Sequence, residues 1–522
     1  MARLSKSTAR ILQREAPWVV AAAVACTAVF SAIPPLNHPW GSNWPMYFEA
    51  AHYFWDPTAA YFGWRPPLYP LLLATLGEPL GYVNAAHWIA QGSMLVVIAA
   101  SAIVARLMAG SGAAVIAALT IPLLQCAVEG AMWTNMYPPA AAAFALATAA
   151  GSLAYRRPSI AVALATGVLA GVAWRINHLG LVAVPMGLGL CVLGALGRSN
   201  RLLWVLIPLT FGSGTGAAVA VDQWVVSHWN VPQEGLGDQV LQRRREELDR
   251  IASGQADPER FGSCTDLVPK PLNLAELTNA CGRQFIAANY GTLQAEDCAP
   301  NPSTLLWLLP FALLPGVRTP SWRDTAASVV VFGGPLGAFL VAAAWTSYAE
   351  KYAITFLPVM VLLVPMALHR AGGWLGRWVG HGGIGGGLGL VGAGAWVALH
   401  WPGASGPWAD RPNIKTDWES VAGTVADWAS SEMGEGDLLI DCVPLNIDLV
   451  VLPERFETLE GVSADDACTA WVEAPPAAAG KVWLVQQSFP ELPKTQPMHL
   501  QRSGWRLVKQ YDDRHRLWEH AP

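Results

Sequence analysis

Residues 41–69, GSNWPMYFEAAHYFWDPTAAYFGWRPPLY, are the most informative part of the sequence. Aromatic rings recur through the first half of this stretch, and such rings favour the boundary between lipid and water. Their spacing predicts an amphipathic helix that lies in this interface. The last five residues of the stretch, RPPLY from Arg65 to Tyr69, predict a rigid, extended connection to the next helix. The reason is that proline fixes its own backbone and restricts the residue before it.

The composition around this stretch is that of a membrane protein. Of the 522 residues, 53% are apolar and only 14% are charged, whereas soluble domains are about 25% charged. Most acidic residues fall in two segments, 221–302 and 403–522. This distribution excludes a soluble enzyme and predicts a membrane domain with two water-facing parts. No basic stripe interleaves with aromatic residues, so nucleic acid is not an expected partner.

Apolar runs long enough to cross a bilayer number eleven, because a spanning helix needs roughly 20 apolar residues. The chain is therefore expected to be a polytopic α-helical membrane protein of about eleven transmembrane helices. The predicted spans are 17–34, 86–108, 112–129, 136–155, 159–175, 178–196, 202–220, 303–317, 325–345, 352–369 and 384–401. Residues 67–80 are too short and too rich in proline to count, and predict a re-entrant or interfacial helix.

Basic residues indicate the orientation of these spans, because short cytoplasmic loops are rich in Lys and Arg. With the N-terminus inside, the inner connections carry thirteen basic residues and the outer short connections carry only Arg65, Arg175 and Lys351. The first apolar run is long and lacks a clear cleavage site, so it is read as a retained helix rather than a signal peptide. The absence of an ER-retrieval tail favours the bacterial cytoplasmic membrane, with the C-terminal part outside.

The predicted domains are a transmembrane domain at 1–402, with an outer loop insertion at 221–302, and an extracytoplasmic domain at 403–522. In the tail, residues 417–430 have helical spacing, 437–443 and 481–485 resemble buried strands, and 505–518 predict a closing hairpin. These signals predict a small α/β domain. In the insertion, the charged run at 239–251 predicts a solvated helix rather than a binding patch.

The eight cysteines fit this topology. Cys26, Cys126 and Cys191 fall in predicted spans, where they are most simply small buried apolar residues. The outer parts contain the other five, and an oxidising compartment permits disulfides there. A Cys442–Cys468 bridge is one option. The insertion contains an odd number, Cys264, Cys281 and Cys298, and their spacing does not select a pair. No cysteine or histidine spacing suggests a structural zinc site.

Ionisable side chains at the outer face are the candidates for chemistry, because charges at membrane depth are costly and are retained for a function. Glu49, Asp56 and Glu129 could act on a proton. The outer cations Arg65, Arg175 and Lys351 could hold an anionic group such as phosphate. Snorkelling and helix capping would also explain any single one of these residues. Their clustering in three short loops favours a shared site.

The motifs in these loops resemble those of the C-type (GT-C) glycosyltransferases, which use polyprenyl-phosphate sugars. The superfamily includes the protein mannosyltransferases and the aminoarabinose transferases that act on lipid A. RPPLY resembles its [KR]-P-P-L-Y motif before the second span. GVAWRINHLGLVAVP at 171–185 resembles its G-x-x-x-x-x-R segment. YAEKYAITFLP at 348–358 resembles its [RK]-Y-x-x-x-x-x-P segment. The resemblance covers essentially the whole chain and implies a GT-C-like membrane domain followed by an outer α/β domain.

Two positions depart from the superfamily. Its first-loop aspartate should lie four residues before Tyr47, where this sequence has Asn43, and its second-loop acid should lie where this sequence has Asn135. An amide cannot act as a carboxylate base. Either Glu49, Asp56 or Glu129 takes over this role, or the protein has kept the scaffold and lost the transfer reaction.

The resemblance implies an inverting hexosyl or pentosyl transferase that moves a sugar from a polyprenyl-phosphate donor to an envelope lipid, glycan or protein. Glu49 is the first candidate for the base, with Asp56 and Glu129 in reserve. The cations would stabilise the leaving phosphate. His178 could assist, although a histidine beside a helix start more often packs or caps. The predicted substrate-binding residues are Asn43, Tyr47, Arg65, Tyr69, Asn135, Arg175, His178, Lys351 and Tyr352.

Two other functions are compatible with the sequence. A non-catalytic relative would bind a lipid-linked sugar without transferring it, and the amides Asn43 and Asn135 favour this reading. A lipid or solute transporter would need charges near mid-span and broken helices in corresponding halves. The expected partners are the lipid-linked donor, membrane lipids and an envelope acceptor. The sequence assigns no cofactor and leaves the use of a divalent cation open.

Overall fold

Long apolar helices make up most of the described chain. The structure is a computed structural model that describes residues 6–32, 44–57, 61, 66–121, 130–232, 308–314, 321–335 and 350–399, and, in the C-terminal part, 424–425, 428–429, 431–434, 436–441, 456–457, 480–487, 500–501, 503–511 and 515–520. Within these ranges the protein is mainly helical and ends in a small β-sheet.

The helices follow one another with short connections. In chain order they are α1 (Lys6–Ala32), α2 (Trp44–His52), α3 (Leu68–Leu80), α4 (Tyr82–Met108), α5 (Ser111–Thr120), α6 (Tyr137–Arg156), α7 (Ile160–Ile176), a 3-10 turn (His178–Val182), α8 (Ala183–Leu196), α9 (Leu202–His228), α10 (Leu309–Ala312), α11 (Trp322–Ser328) continued by a π-helical turn (Val329–Gly333), α12 (Glu350–Trp378) and α13 (Gly382–Leu399).

Three helical segments in the described ranges are long and apolar enough to cross a bilayer: Tyr82–Met108, His178–Leu196 and Leu202–His228. Shorter apolar helices lie at Glu15–Ser31, Ser111–Thr120 and Ile160–Ile176. These helices fall on predicted spans, and the total of eleven spans stays a prediction. The short helix expected at 67–80 is present as α3 and turns directly into α4 at Gly81, whose φ of 79° suits glycine.

The exposed apolar surface of the described helices is clearest on α9. This helix buries only one side, and its other faces expose Leu209, Val221 and Trp224. A helix that is apolar on all sides yet largely exposed is suited to a membrane rather than to water. α9 also continues to His228, eight residues beyond the predicted end of the span at 220. Asp222 therefore belongs to this helix and not to the outer loop.

Helix ends that the topology predicts to lie inside come together at one end of the bundle. Glu15 on α1 accepts a hydrogen bond from Arg106 on α4 at 2.8 Å. At the same end, Asp324 accepts a hydrogen bond from the Tyr155 hydroxyl at 2.8 Å and forms an ion pair with Arg156 at 3.2 Å. The residues predicted to face outward that the structure describes lie at the opposite end. The alternation of helix ends thus agrees with the predicted order of spans.

The C-terminal part forms one five-stranded mixed sheet. Its strands are β1 (Leu438–Asp441), β2 (Phe456–Glu457), β3 (Val482–Gln487), β4 (Trp505–Gln510) and β5 (His515–His520), in the order β2-β1-β3-β5-β4. β1 is parallel to β2 and β3, and β5 is antiparallel to β3 and β4. The two predicted strands and the closing hairpin are therefore confirmed, and the described residues from 424 to 432 are helical.

Asp437 connects the beginnings of β1 and β3 through hydrogen bonds. Its carboxylate accepts hydrogen bonds from the backbone of Gly434 at 3.0 Å and of Lys481 at 2.7 Å, and from the Trp483 indole at 3.1 Å. Because β1 and β3 are adjacent, this one side chain fixes their register where both begin. On the other side of β3, Glu519 pairs with Lys481 at 2.8 Å and with Arg506.

Several sequence predictions concern residues outside the described ranges. They are the domain boundary at 402/403, most of the insertion at 221–302 with its helix at 239–251, and Cys126, Cys264, Cys281, Cys298, Cys442 and Cys468. Of the remaining cysteines, Cys191 is buried and Cys26 half-buried, and both are reduced thiols.

Candidate functional site

The helix predicted within residues 41–69 is present as α2, and its place in the membrane interface stays a prediction. Tyr47 and Phe48 are fully buried, and Ala51, one turn later, lies on the same face. Glu49 points away from this face and is half-buried. The helix thus uses its aromatic side to pack on the bundle, which leaves Glu49 at the margin between the bundle and its surroundings.

The start of α3 packs against α2 through two tyrosines. The rings of Tyr47 and Tyr69 meet edge to face, with 5.2 Å between their centroids. Tyr69 is 1% exposed, and its hydroxyl has no hydrogen-bond partner among the described residues. A buried hydroxyl without a partner costs about 1–3 kcal/mol. A ligand that accepted this hydrogen bond would remove that cost.

The turn after α2 is anchored on the end of α9. The Tyr53 hydroxyl donates to the carbonyl of Asn230 at 2.9 Å, and the Phe54 ring lies 5.6 Å from that of Trp229. Asp56 follows, with an exposed side chain and a backbone N–H that donates to the carbonyl of His52 at 2.8 Å. The turn that carries Asp56 is therefore held beside the end of α9, and Glu49 lies one helical turn before Tyr53.

Arg175 and Asp222 form an ion pair between α7 and α9. The Asp222 side chain is fully buried and that of Arg175 is 12% exposed. The Arg175 guanidinium also lies over the ring of Trp174, at 5.6 Å from its centroid. The predicted phosphate-binding cation thus has a carboxylate partner that the sequence analysis had assigned to a loop.

The helix α9 therefore supports both halves of the candidate site. Trp229 and Asn230, which directly follow α9, contact the turn after α2, and Asp222 on α9 pairs with Arg175. Seven residues separate Asp222 from Trp229, which corresponds to about 10 Å along a helix axis. Carboxylates that could act on a proton and a cation that could hold a phosphate thus share one scaffold at one end of the bundle.

Asn135, one of the two amides at positions where the resemblance leads us to expect an acid, has a local structural role. Asn135 is 1% exposed, and its side-chain carbonyl accepts a hydrogen bond from the backbone of Tyr137 at 3.1 Å, at the start of α6. An aspartate could make the same bond, because either side chain offers an acceptor oxygen. The amide therefore serves this helix start without supplying a base.

The end of α7 leads directly into the 3-10 turn through Asn177. Its side-chain carbonyl accepts from the backbone of Leu179 at 3.0 Å. Asn177 is 3% exposed, and its amide nitrogen has no hydrogen-bond partner among the described residues. His178 opens the turn and is half-buried. This half-buried position is compatible both with a role in substrate binding and with a packing role.

The remaining candidates are described in part or not at all. Lys351 and Tyr352 lie in the first turn of α12, which packs against the 3-10 turn; the structure describes their backbone only. Asn43, Arg65 and Glu129 lie outside the described ranges. The rings of Tyr47 and Tyr69 contact each other, and Glu49 and Asp56 lie in α2 and in the turn after it. Arg175 and His178 lie at the end of α7 and in the 3-10 turn that follows it.

Asp222 and Asn177 are the two residues that the sequence analysis missed. The predicted span ended at 220 because a charge followed it, although the next residues, QWVV, are again mostly apolar. The four-residue spacing of Gly214, Ala218 and Asp222 was the available signal, since it matches that of Gly167, Gly171 and Arg175. For metal binding, the described ranges contain no group of three His, Cys, Asp or Glu side chains that could hold an ion.

Comparison with known proteins finds similar structures but no similar sequences: no family profile and no curated protein matches the chain. ArnT from Cupriavidus metallidurans, in a crystal structure with bound undecaprenyl phosphate, is 14% identical with a TM-score of 0.42 and covers 97% of this chain and 99% of its own. The oligosaccharyltransferase of Archaeoglobus fulgidus, in its apo form, is 13% identical with a TM-score of 0.45 and covers 90% of this chain and 69% of its own.

A third similar structure is the arabinofuranosyltransferase AftD from Mycobacteria, determined by cryo-electron microscopy. It is 14% identical with a TM-score of 0.44, and the match covers 97% of this chain but 41% of AftD.

Proposed function

We propose that the protein is an integral-membrane glycosyltransferase that moves a sugar from a polyprenyl-phosphate donor to an envelope acceptor. The observation that carries this proposal is the shared scaffold: α9 pairs with Arg175 through Asp222, and Trp229 and Asn230, directly after α9, contact the turn that leads from Glu49 to Asp56. Transfer from a lipid phosphate needs a base for the acceptor and a cation for the leaving group. Both kinds of group lie at the same end of the bundle.

The proposed reaction breaks the bond between the anomeric carbon of the sugar and the donor phosphate oxygen. The acceptor oxygen forms the new bond to that carbon from the opposite face, which inverts its configuration. The acceptor proton passes to Glu49, or to Asp56 or Glu129 in its place. Polyprenyl phosphate leaves with its negative charge next to Arg175, and Arg65 and Lys351 are the further candidates for this contact.

The proposal places the site on the outer face of a bacterial cytoplasmic membrane, with the N-terminus inside and an extracytoplasmic α/β domain at 403–522. It leaves open whether the sugar is a hexose or a pentose and whether the acceptor is a lipid, a glycan or a protein. Tyr47, Tyr69, Asn135, His178 and Tyr352 are proposed to line the substrate site, with Asn43. No cofactor is assigned.

A transporter is less well supported, because the described charges do not lie at mid-span. Arg175 is in the last turn of α7, and Asp222 and Arg370 are about two turns from the ends of their helices. A non-catalytic relative remains the second candidate. The observation that favours it is Asn135, whose side chain serves a helix start at a position where the superfamily has an acid.

The experiment is a turnover assay on the purified protein in lipid nanodiscs with a panel of lipid-linked sugars. Released polyprenyl phosphate is measured by mass spectrometry for wild type, Glu49→Gln and Asp56→Asn. Glu78→Gln is the matched control, because Glu78 is an exposed carboxylate on the neighbouring helix α3. We expect loss of about 10²-fold or more in at least one of the two site variants and no change in the control. Donor binding without turnover in wild type would establish the non-catalytic function instead.

A further inference from the structure

Small residues bring α7 and α9 unusually close together. The contacts advance by four residues at a time on α7 and by three and then four residues on α9, from Gly167 beside Thr215 to Gly171 beside Ala218 and finally to Arg175 beside Asp222. Because the numbers rise together, the two helices run parallel. Steps of three and four residues keep all these positions on one face of each helix. The ion pair is thus the last step of a continuous interhelical contact, which we call the α7–α9 seam.

The seam leaves little freedom for the two backbones. A Cβ atom at Gly171 would lie 2.6 Å from the Cβ of Ala218, and one at Gly167 would collide with the carbonyl of Phe211. The Thr215 hydroxyl donates across the seam to the carbonyl of Gly167 at 3.1 Å. Close contact between small residues is a main source of helix association in membranes. The carboxylate of Asp222 is therefore presented from a rigid position.

Stability alone does not account for a buried ion pair at the end of this seam. Desolvating two charges costs several kcal/mol for each ion, and apolar residues of similar size often stabilise a protein as well or better. Before the ion pair, the α7–α9 seam consists of glycine, alanine and threonine. The same residue types could form the contact at the positions of Arg175 and Asp222. Charges retained within a membrane domain point to a function.

We propose that Asp222 is a positioning residue that holds the Arg175 guanidinium in place for the phosphate of the lipid donor. A guanidinium has five N–H donors, and the ion pair with Asp222 is made through one terminal nitrogen. The Nε–H of Arg175 is buried and has no hydrogen-bond partner among the described residues. Asp222 thus fixes one edge of the guanidinium and leaves other donors for a phosphate. This inference rests on the proposed function.

The test measures binding of undecaprenyl phosphate to the full-length protein in nanodiscs, together with KM, kcat and thermal stability. In Asp222→Asn the guanidinium keeps its charge and loses its fixed partner. We expect Kd for undecaprenyl phosphate and KM for the donor to rise about tenfold or more. If the charge of Arg175 alone mattered, removal of the competing carboxylate would leave both values unchanged or lower them.

A charge-swapped variant, Arg175→Asp with Asp222→Arg, separates positioning from structure. The swap rebuilds an ion pair across the seam, so thermal stability should return towards that of wild type, but the cation now projects from α9. We expect undecaprenyl phosphate binding to stay weak. Glu15→Gln is the control for loss of an ion pair at the opposite end of the bundle, and it should change stability without changing Kd.

Three outcomes would overturn the inference. Asp222→Asn could bind undecaprenyl phosphate as wild type does, or the charge swap could restore binding together with stability, in which case the pair is structural only. In both cases wild-type turnover keeps the proposed function intact. If wild type neither binds undecaprenyl phosphate nor uses any lipid-linked sugar, both the proposed function and this inference are wrong.

Discussion

The carboxylate of Asp222 and the guanidinium of Arg175 meet inside the helical bundle, towards the end where the turn after α2 contacts Trp229 and Asn230, which directly follow α9. Asp222 is fully buried, so its charge depends on Arg175 for compensation. The relationship connects two parts of the sequence that are far apart. It also joins the tightest helix contact of this region to the cation that is proposed to meet the donor phosphate.

The glycines of the α7–α9 seam should not tolerate an added side chain. Gly167→Ala would place a Cβ against the backbone carbonyl of Phe211, so the helices would have to separate. We expect destabilisation of about 1–3 kcal/mol and weaker undecaprenyl phosphate binding, measured by thermal unfolding and by Kd. Gly216→Ala on α9 is the control, because a Cβ there has nothing within 4 Å. Equal stability of the two variants would contradict the close contact.

The hydroxyl of Tyr69 should matter for substrate and not for folding. Tyr69→Phe keeps the edge contact with Tyr47 and removes a buried hydroxyl that has no hydrogen-bond partner among the described residues. We expect unchanged or higher thermal stability with a loss of about tenfold in kcat/KM, which is about 1.4 kcal/mol. Tyr69→Ala should lose both stability and activity. A Phe variant with full activity would remove Tyr69 from the site.

The C-terminal sheet should loosen in acid. Burial raises the pKa of Asp437, but hydrogen bonds from Trp483, Lys481 and Gly434 outweigh it and leave that pKa below its usual value. The hydrogen bonds from Lys481 and Arg506 likewise lower the pKa of Glu519. A carboxylate with a lowered pKa stabilises the fold above its usual pKa, and this contribution is lost as pH falls through the folded value.

Hydrogen exchange of peptides that cover β3 measures this effect, compared between about pH 6 and pH 3 after correction for intrinsic rates. We expect protection to decrease as pH falls below about 4, where carboxylates ordinarily take up protons. Asp437→Asn should weaken protection already at pH 6 and flatten the pH dependence. Glu432→Gln, at an exposed position, is the control. Constant protection across this range would contradict the assigned role of Asp437.

Local patterns predicted the elements around the site. The aromatic spacing before His52 indicated α2, and the prolines before Leu68 indicated where α3 begins. Short apolar runs likewise indicated β1 and β3 of the C-terminal sheet, and residues 505–518 indicated the hairpin of β4 and β5. Each of these signals lies within one element, because helix and strand periodicity are properties of neighbouring residues.

The pairing of Arg175 with Asp222 was not predicted, for a physical reason. Hydropathy penalises a charge, so the predicted span ended before Asp222, although a charge that pairs across a helix contact loses much of that penalty. The partner lies on another helix, and the periodicity of one segment contains no information about it. Only the matching small-residue spacing on α7 and α9 pointed to their contact.

Photo-crosslinking with an analogue of the lipid-linked donor locates the donor site on the protein. A polyprenyl-phosphate sugar with a diazirine on the sugar is bound to the full-length protein in nanodiscs, and labelled peptides are identified by mass spectrometry. We expect labelling of peptides from α2 and from the ends of α7 and α9 near Arg175 and Trp229. Undecaprenyl phosphate should compete with the donor analogue and reduce this labelling. Labelling confined to the opposite end of the bundle, near Arg106 and Arg156, would contradict it.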